Sequence, residues 1–351
     1  AKEFSSYIGT NYAFALMSCA HALDITAMLL DIRPGDEVII PSHTYCATAI
    51  AFAKRGAKIV WADIDKDSLT ICPKSLKALI SLHTKAIVVV HLYGLLSPHI
   101  VEILEIAKRG KIALVEDCAQ ALGSKLGSKH VGSFGDIGCF SFHSQKNMTT
   151  LGEGGMIVTS NSYFAEKIPG LRLNGHSQYM KKDKYWLPSM TNVDLDINGA
   201  WPTKSTMSES QAIVGMLVLK RLDSMIEKRR SRARYIREAM KLFPEVKFQS
   251  IYAVESHSHH LIPFSYSNDS VNRDKLIDRL STYHGIKAIV QYHPLHKYDL
   301  FMKTGHGNAK VPITDEFFSK MVSLPFSLTQ SEEDIEYLID SLRESLLFLR
   351  G

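Results

Sequence analysis

The chain has 351 residues, of which 45% are hydrophobic and 22% charged, and its formal net charge is +5. This composition is typical of a globular protein with a sizeable core, and the length predicts two domains or one large domain with a lobe. The positive charges are scattered, which argues against a nucleic-acid-binding patch, and no apolar run reaches the ~18–20 residues that span a bilayer.

The cysteines indicate the redox environment. The chain has five of them, an odd number, and no two form a CxxC pair. We therefore predict reduced thiols, a cytoplasmic location and no metal site. The sequence begins at Ala1 without a signal-peptide pattern, and because it lacks an initiator Met we expect residues ahead of this position.

The first half of the chain alternates short apolar runs with longer amphipathic ones. The short runs are rich in β-branched residues and predict strands, whereas the runs between them predict helices. The predicted strands are 36–41, 57–64, 85–94 and 111–119, and the predicted helices are 19–31, 45–55, 74–82 and 98–109. Such alternation is typical of a parallel sheet covered on both faces, so we predict an α/β fold with ligands at the carboxyl ends of its strands.

The middle of the chain loses this pattern. Residues 176–206 are rich in aromatic residues and show no clear periodicity, which predicts a long functional loop. Residues 208–240 predict a helix that contains the basic run EKRRSRARYIRE. Because acidic and apolar residues interleave with these charges, we interpret the run as a solvated helix face rather than a nucleic-acid patch.

The last third predicts a smaller α+β domain. Its predicted strands are 259–266 and 285–293, and its predicted helices are 274–282 and 331–349. We therefore predict a large domain at 1–225 and a small domain at 226–351.

The segment FSFHSQKNMTTLGEGGM, residues 140–156, places Lys146 between the end of a predicted buried strand and a glycine-rich turn. Most lysines beside loops are surface residues. Here the apolar flank and the close backbone approach that glycines permit predict a partly desolvated pocket. Burial in such a pocket lowers the pKa of the amine and makes it a nucleophile for a carbonyl group.

Asp117, in LVEDCAQALGS, lies where a predicted parallel strand ends. The residue type leaves two roles open: the N-cap of a helix in the AQAL segment, which is the commoner role, or a buried carboxylate facing a cationic ring nitrogen. Together with Lys146, the second role indicates pyridoxal phosphate, which needs a Schiff-base lysine and an acidic partner for its pyridinium nitrogen.

Two further segments are compatible with this cofactor. Ser18 predicts a helix N-cap, and the helix start offers backbone N–H groups to a phosphate, although capping alone also explains it. Tyr45, in PSHTYCATA, follows a predicted strand and either packs in the core, as most such tyrosines do, or stacks on a planar cofactor.

In combination, these motifs resemble the DegT/DnrJ/StrS-type sugar aminotransferases, which are fold-type I pyridoxal-phosphate enzymes. The most specific segments are EDCAQ, SFHSQKN and GEGG, and the resemblance runs from residue 3 to the end through PGDEVIIPSHTYCATA, MSESQAIVGMLVLKRLD and SLPFSLTQSEEDIEYLIDSL. It implies a large domain with a mostly parallel, doubly wound sheet, a smaller C-terminal α+β domain, and residues ahead of Ala1. It also implies a homodimer whose active sites are shared between subunits, with 176–206 as the crossing segment.

The resemblance assigns roles to individual residues. Lys146 would bind pyridoxal phosphate covalently and then carry a proton between cofactor and substrate, while Asp117 would keep the ring nitrogen protonated. The remaining cofactor contacts would come from Gln120 near the phenolic oxygen, from Ser141 and the backbone of Cys19 and Ala20 at the phosphate, and from Tyr45 stacked on the ring.

The sequence departs from the family pattern at two places. SCAHAL stands where the family usually has SGTAAL, which removes a glycine and a threonine hydroxyl from the phosphate-binding turn. Lys204 stands where the family commonly has an asparagine that reaches the phosphate in the partner subunit. A lysine there would act as a point charge on the phosphate.

The implied activity is transfer of an amino group from glutamate or glutamine to a keto-sugar, with pyridoxamine phosphate as the intermediate. The implied acceptor is a nucleotide-linked ketodeoxysugar; a cyclitol ketone and a keto-sugar phosphate are alternatives. Two other functions are a sugar dehydratase, which Lys146 disfavours because that branch has histidine there, and a cofactor-binding regulator without chemistry. HSHH at 257–260 and QYHPLH at 291–296 either line the sugar site or are structural.

Overall fold

A computed structural model of the protein describes residues 1–176, 201–268 and 272–350. The strands are β1 (Tyr12–Leu16), β2 (Glu37–Pro41), β3 (Lys58–Ala62), β4 (Thr84–Val90), β5 (Ala113–Asp117), β6 (Lys125–Leu126), β7 (Lys129–His130), β8 (Ile137–Ser141), β9 (Gly155–Thr159), β10 (Val246–Phe248), β11 (Ile262–Tyr266) and β12 (Met321–Leu324). The helices are α1 (Lys2–Ile8), α2 (Cys19–Leu29), α3 (Ala47–Ala53), α4 (Pro73–Leu79), α5 (Ile100–Gly110), α6 (Ser162–Leu171), α7 (Glu209–Leu219), α8 (Leu222–Ala239), α9 (Arg273–Thr282), α10 (Asp299–Lys303), α11 (Pro312–Lys320) and α12 (Glu332–Arg350).

The central sheet has seven strands in the order β1-β9-β8-β5-β4-β2-β3. All of its neighbouring pairs are parallel except the two that involve β9, which runs against both β1 and β8. The predicted α/β fold with a mostly parallel sheet is therefore confirmed.

Both faces of this sheet are buried, which explains why its strands read as continuous apolar runs. In β4, Val88 and Val90 pack into one apolar cluster, and Ile87 and Val89 pack into the other. Successive side chains of a strand point to opposite faces, so a strand that is covered on both sides needs apolar residues at every position. Helices lie on both faces, as the alternation of elements predicts.

A second, three-stranded antiparallel sheet has the order β10-β11-β12. It shares a third apolar cluster with α8, α9 and α12. Leu295, Phe301 and Phe317, which lie in the predicted small domain, pack into a cluster of the central sheet instead. The predicted domain boundary between residues 225 and 226 stays a prediction.

The prediction of a strand at 285–293 was wrong. Ile289 makes a single antiparallel pairing with Ser323, and the strand that completes the small sheet is β12. Beyond Ile289 the chain leaves the sheet and brings Gln291 and Tyr292 to the central cavity. The apolar run is therefore explained by packing of its side chains into the apolar clusters rather than by pairing in a sheet.

The predicted helix at 208–240 is divided into α7 and α8, and its basic run is solvated only in part, since Lys228 and Arg234 are exposed whereas two arginines turn inward. Arg229 is only 7% exposed and donates to the backbone oxygen of His259 at 3.1 Å. Arg230 donates to the oxygen of His257 at 3.0 Å. These guanidinium groups satisfy backbone carbonyls of the buried segment 257–260, since buried carbonyl groups need donors.

No helix in the three described ranges is long and apolar enough to cross a membrane. The five cysteines are unpaired, as predicted.

Candidate active site

A cavity of about 390 Å³ lies at the carboxyl ends of the parallel strands, where the sequence predicts a ligand. Residues that follow β2, β4, β5 and β8 line it together with the start of α2. Most of the predicted site residues share this cavity: Cys19, Ala20, Tyr45, Asp117, Gln120, Ser141 and Lys146. Lys204 lies outside the cavity of its own chain.

Lys146 lies in the tight loop between β8 and β9. Its backbone N–H donates to the oxygen of His143 at 2.9 Å, and Phe142 donates to the oxygen of Gly154 at 2.8 Å. A Cβ atom on Gly154 would lie 2.0 Å from Oγ1 of Thr150, so only glycine permits this close approach. The glycine-rich turn thus folds back against the strand end and holds the lysine inside the protein.

The surroundings of the Lys146 amine favour its neutral form. Burial lowers its pKa, while the negative charge of Asp117 opposes this shift. A lower pKa increases the fraction of neutral amine, which is the form that attacks a carbonyl carbon. This agrees with the desolvated pocket predicted from the flanking residues.

Asp117 ends β5 and is 5% exposed. Its carboxylate accepts hydrogen bonds from Oγ1 of Thr48 at 2.8 Å and from the backbone N–H of Ala119 at 3.1 Å. Burial raises the pKa of this carboxyl group, and both hydrogen bonds oppose the shift. Residues 119–123 form turns rather than a helix, so the helix-capping role was wrong for Asp117.

Gln120 is held by two hydrogen bonds in the wall of the cavity. Its side-chain oxygen accepts from the backbone N–H of Tyr93 at 2.7 Å, and its amide nitrogen donates to the Tyr292 hydroxyl at 2.9 Å. The Tyr93 and Tyr292 rings are parallel, with centroids 6.5 Å apart. This network orients the amide nitrogen, and the contact of Gln120 with the cofactor stays a prediction.

The start of α2 forms one end of the cavity. Ser18 is its N-cap, as predicted, and accepts from the backbone N–H of His21 at 3.3 Å. The strand β9 passes so close that a Cβ atom on Gly155 would lie 2.6 Å from the backbone nitrogen of Cys19. Free N–H groups at a helix start bind anions, so this end is suited to a phosphate.

Replacing Gly155 with alanine is expected to destabilise the protein by about 1–3 kcal/mol, because the new methyl group would overlap the Ser18–Cys19 backbone. Denaturant unfolding measures this change. Gly215→Ala in α7 is the matched control, since its new methyl group would meet only side-chain atoms, at 3.0 Å from Thr150 and 3.4 Å from Met148. Equal stability of the two variants would contradict the close contact between β9 and α2.

Tyr45 lies at the mouth of the cavity and is 57% exposed. Its ring meets that of Tyr292 edge-on, with centroids 6.0 Å apart. It is therefore not a core residue. Its stacking on a cofactor stays a prediction, as does the phosphate contact of Ser141 at the end of β8.

The proposed crossing segment is described only at its ends. Tyr179, Tyr185 and Trp186 lie outside the described residues, whereas Trp201 is 86% exposed. Lys204 is exposed, and its backbone forms an isolated antiparallel β-bridge with that of Leu173. Its role at the partner subunit's phosphate stays a prediction.

His91, Glu116 and Cys118 form a buried group of the kind that can hold a metal ion. The Glu116 carboxylate already accepts backbone hydrogen bonds from Gly132, Phe134 and Gly135, and it contacts Nε2 of His91 at 2.9 Å. A buried carboxylate with these donors is stable without a metal ion. We interpret the cluster as structural support behind Asp117.

Sequence reasoning missed several residues of the site. Thr48 lies three residues after Tyr45 and donates to the Asp117 carboxylate. In the sequence, its hydroxyl group was the only feature that could have indicated this role. Gln291 and Tyr292 belong to the QYHPLH segment, which the sequence analysis suggests as lining of the sugar site. The hydrogen bond from Gln120 to Tyr292 was not predicted. His260, from the HSHH segment, lies beside Lys146, and its Nε2 atom is 3.4 Å from Nζ.

The groups around the cavity fit pyridoxal phosphate. A buried amine with a lowered pKa suits the aldehyde, a buried carboxylate suits a cationic ring nitrogen, and a helix start suits the phosphate. The two neutral donors to Asp117 leave its charge to be balanced by a cation. Lys146, Asp117 and the start of α2 would hold the cofactor.

Comparisons with known proteins identify the family of this chain. The sequence model of the DegT/DnrJ/EryC1/StrS aminotransferase family matches residues 1–343. The spore coat polysaccharide biosynthesis protein SpsC of Bacillus subtilis is 32% identical over 98% of this chain and 87% of its own length. The dTDP-3-amino-3,6-dideoxy-alpha-D-galactopyranose transaminase of Aneurinibacillus thermoaerophilus is 32% identical over 97% of this chain and 87% of its own length.

A solved structure shows the same fold. DesV of S. venezuelae, in complex with a ketimine intermediate, has 28% sequence identity and a TM-score of 0.86, and the match covers 98% of this chain and 87% of that chain. The chain belongs to the DegT/DnrJ/EryC1/StrS aminotransferase family.

Proposed function

We propose that this pyridoxal-phosphate-dependent aminotransferase moves an amino group from glutamate or glutamine to a nucleotide-linked keto-sugar in the cytoplasm. The observation that carries the proposal is the shared cavity of Lys146 and Asp117 at the ends of neighbouring strands. The transaminase relative whose name specifies a dTDP-linked aminodideoxy sugar supports the acceptor class.

Different residues of this chain would have different roles in such a reaction. When bound, pyridoxal phosphate supplies an electron sink that makes the carbon next to the amino nitrogen acidic. Asp117 would hold the ring-nitrogen proton in place, because an ionised carboxylate stabilises a cation in a buried site. Lys146 would carry a proton on Nζ, since burial lowers its pKa and so makes the amine readier to release a proton that it has accepted.

The mouth of the cavity is polar, which suits a hydroxyl-rich acceptor. His143 and Glu153 line it and approach each other to 3.7 Å between Nε2 and Oε1, and Gln145 lies beside them. Groups of this kind donate to and accept from sugar hydroxyls. A cyclitol ketone or a keto-sugar phosphate presents similar hydroxyls, so these acceptors remain the second candidates.

A panel of keto compounds tests the proposal. The panel contains nucleotide-linked 3-keto and 4-keto sugars, cyclitol ketones and keto-sugar phosphates, with 2-oxoglutarate release from glutamate as the readout and glutamine as the second donor. We expect the highest kcat/KM with a nucleotide-linked acceptor. Preference for another class would contradict the acceptor assignment, and bound cofactor with no bleaching by either donor would favour a regulator.

We also propose a homodimer in which Lys204 reaches the phosphate in the partner subunit. Lys204 is exposed and outside the cavity of its own chain, as a residue that serves a neighbouring site must be. Trp201, close by, is an exposed aromatic residue of a kind enriched in interfaces.

Subunit exchange tests this crossing. Lys204→Ala is expected to weaken cofactor retention, and mixing it with Lys146→Ala should regenerate sites that contain neither lesion. Activity of the mixed dimers above that of both parents, up to about a quarter of wild type for random pairing of one regenerated site, would support the arrangement. If exchange is verified by mass spectrometry and activity does not rise, Lys204 does not act across the interface.

A further inference from the structure

His260 is the nearest described partner of the Lys146 amine. Its Nε2 atom lies 3.4 Å from Nζ, and the imidazole is 5% exposed. Within the described part of the chain, the other ring nitrogen, Nδ1, is buried without a hydrogen-bond partner. The two residues are 114 positions apart in sequence, so tertiary structure brings them together.

The segment that carries His260 is fixed on several sides. Asn147, next to Lys146, donates from its side chain to the backbone oxygen of Ser258 at 3.2 Å. Ser258 donates from its backbone to Gly94 at 2.9 Å, and Arg229 donates to His259. These contacts come from three separate parts of the fold, so the imidazole is held in position before any ligand binds.

Gly94 is required for this packing. Its φ is +110°, and a Cβ atom there would lie 2.7 Å from the backbone nitrogen of His259 and 2.8 Å from that of His260. Only glycine adopts this conformation without strain and leaves room for the histidine segment. The arrangement of His260 is thus built into the contact between the two lobes.

The charges around the pair keep the imidazole neutral. Burial, followed by the positive charges of Lys146 and Arg229, lowers the pKa of His260 well below its usual value. Lys146 itself faces Asp117 from β5 and Cys19 from α2. A neutral imidazole has one N–H and one bare nitrogen, and its hydrogen-bond partners decide which nitrogen carries the proton.

The missing partner of Nδ1 indicates which tautomer is present. A buried N–H without an acceptor is rarer and more costly than a buried acceptor without a donor. Nδ1 is therefore the bare nitrogen, and Nε2 carries the proton and points at Nζ. An ammonium group has no lone pair to accept this proton, whereas a neutral amine has one.

We propose that His260 is a positioning residue that donates from Nε2 to the lone pair of the Lys146 amine and so favours the neutral, nucleophilic form. This inference rests on the proposed function of Lys146 as the cofactor-binding amine. The hydrogen bond from His260 acts in addition to desolvation. It is directional and holds the free amine in the cavity. The tests below need no bound cofactor.

Nitrogen NMR of the full chain tests the tautomer. The protein is labelled with ¹⁵N-histidine, and the His260 signals are assigned by comparison with His260→Gln. We expect a protonated Nε2 and an unprotonated Nδ1. A protonated Nδ1, or protons on both nitrogens, would overturn the proposal.

Competitive labelling of lysines tests the effect on the amine. Acetylation of Lys146 by acetic anhydride is measured by mass spectrometry across pH, with exposed Lys2 as the internal reference. His260→Phe should move the midpoint upward by about 0.5 pH unit, because the neutral amine loses a donor. The apolar phenyl ring alone would shift it downward, so an upward shift identifies the lost hydrogen bond.

His260→Gln is the conservative variant, since its amide N–H can donate from nearly the same place. Its midpoint should stay close to that of the wild type. An unchanged or lowered midpoint in His260→Phe, with circular dichroism showing a retained fold, would contradict the proposal. If that variant does not fold, the tautomer of His260 in the wild-type protein still decides the question.

These outcomes are separable from failure of the proposed function. A wild-type protein that gains no visible absorbance with pyridoxal phosphate would contradict the cofactor role of Lys146 without changing the tautomer or the midpoint. A wrong tautomer would remove the role of His260 and leave the transaminase assignment intact.

Discussion

Replacing Lys146 with alanine is expected to abolish both the visible absorbance of bound pyridoxal phosphate and the transfer of nitrogen from glutamate. In the proposed mechanism Lys146 is both the covalent attachment and the proton carrier, and its amine is the only lysine Nζ among the residues that line the cavity in the described structure. Loss of both roles should lower kcat by at least roughly 10⁴-fold. Absorbance after incubation with the cofactor and release of 2-oxoglutarate measure the two effects.

The fold of this variant should be retained. Alanine removes a buried amine that is costly to desolvate, so the free energy of unfolding is not expected to fall. Lys241→Ala is the matched control, because this exposed lysine forms an ion pair with Glu238 at the end of α8 and does not line the cavity. Turnover in Lys146→Ala near that of the control would exclude the proposed mechanism.

Asp117→Asn is expected to fold and to bind the cofactor but to lose most of its activity. An asparagine can still accept from the backbone N–H of Ala119 and can donate to the Thr48 hydroxyl, so the local hydrogen bonds survive. Its neutral amide cannot balance a cationic ring nitrogen. Breaking a buried charge pair costs about 3–5 kcal/mol, which corresponds to a kcat lower by roughly 10²–10⁴-fold.

Steady-state kinetics and cofactor absorbance on the same preparation separate loss of chemistry from loss of binding. Asp299→Asn is the matched control, since this exposed carboxylate lies 3.6 Å from the Lys303 amine within α10 and does not line the cavity. Near-wild-type turnover in Asp117→Asn would show that Asp117 only braces the loop after β5.

The Lys146 amine and the Asp117 carboxylate were found from local patterns. Each follows an apolar run of the length of a strand, and buried parallel strands end at one edge of a sheet. Their shared cavity therefore follows from the order of elements. Ser18 is equally local, because an N-cap depends on residues within one helical turn.

The orientation of the arginines in the basic run at 227–238 could not be predicted from local patterns. Interleaved charges favour a solvated face, yet Arg229 and Arg230 turn inward to the backbone of 257–260. Their acceptors lie on a distant segment, and periodicity along one helix carries no information about such partners. The apolar run at 285–293 was mistaken for a strand for a related reason, because a loop whose side chains pack into a core and a strand whose side chains do so have similar sequences.

The sequence by itself determined the central sheet, the strand-end location of the site, the Lys146–Asp117 pair and the family. These features depend on residues that are close in the chain and on the small number of regular backbone conformations that such residues can adopt. Only the tertiary structure decided that Gln120 meets Tyr292, 172 positions away, and that His260 meets Lys146. Both contacts join segments that are far apart in the chain, and the packing that brings such segments together is the sum of many weak interactions.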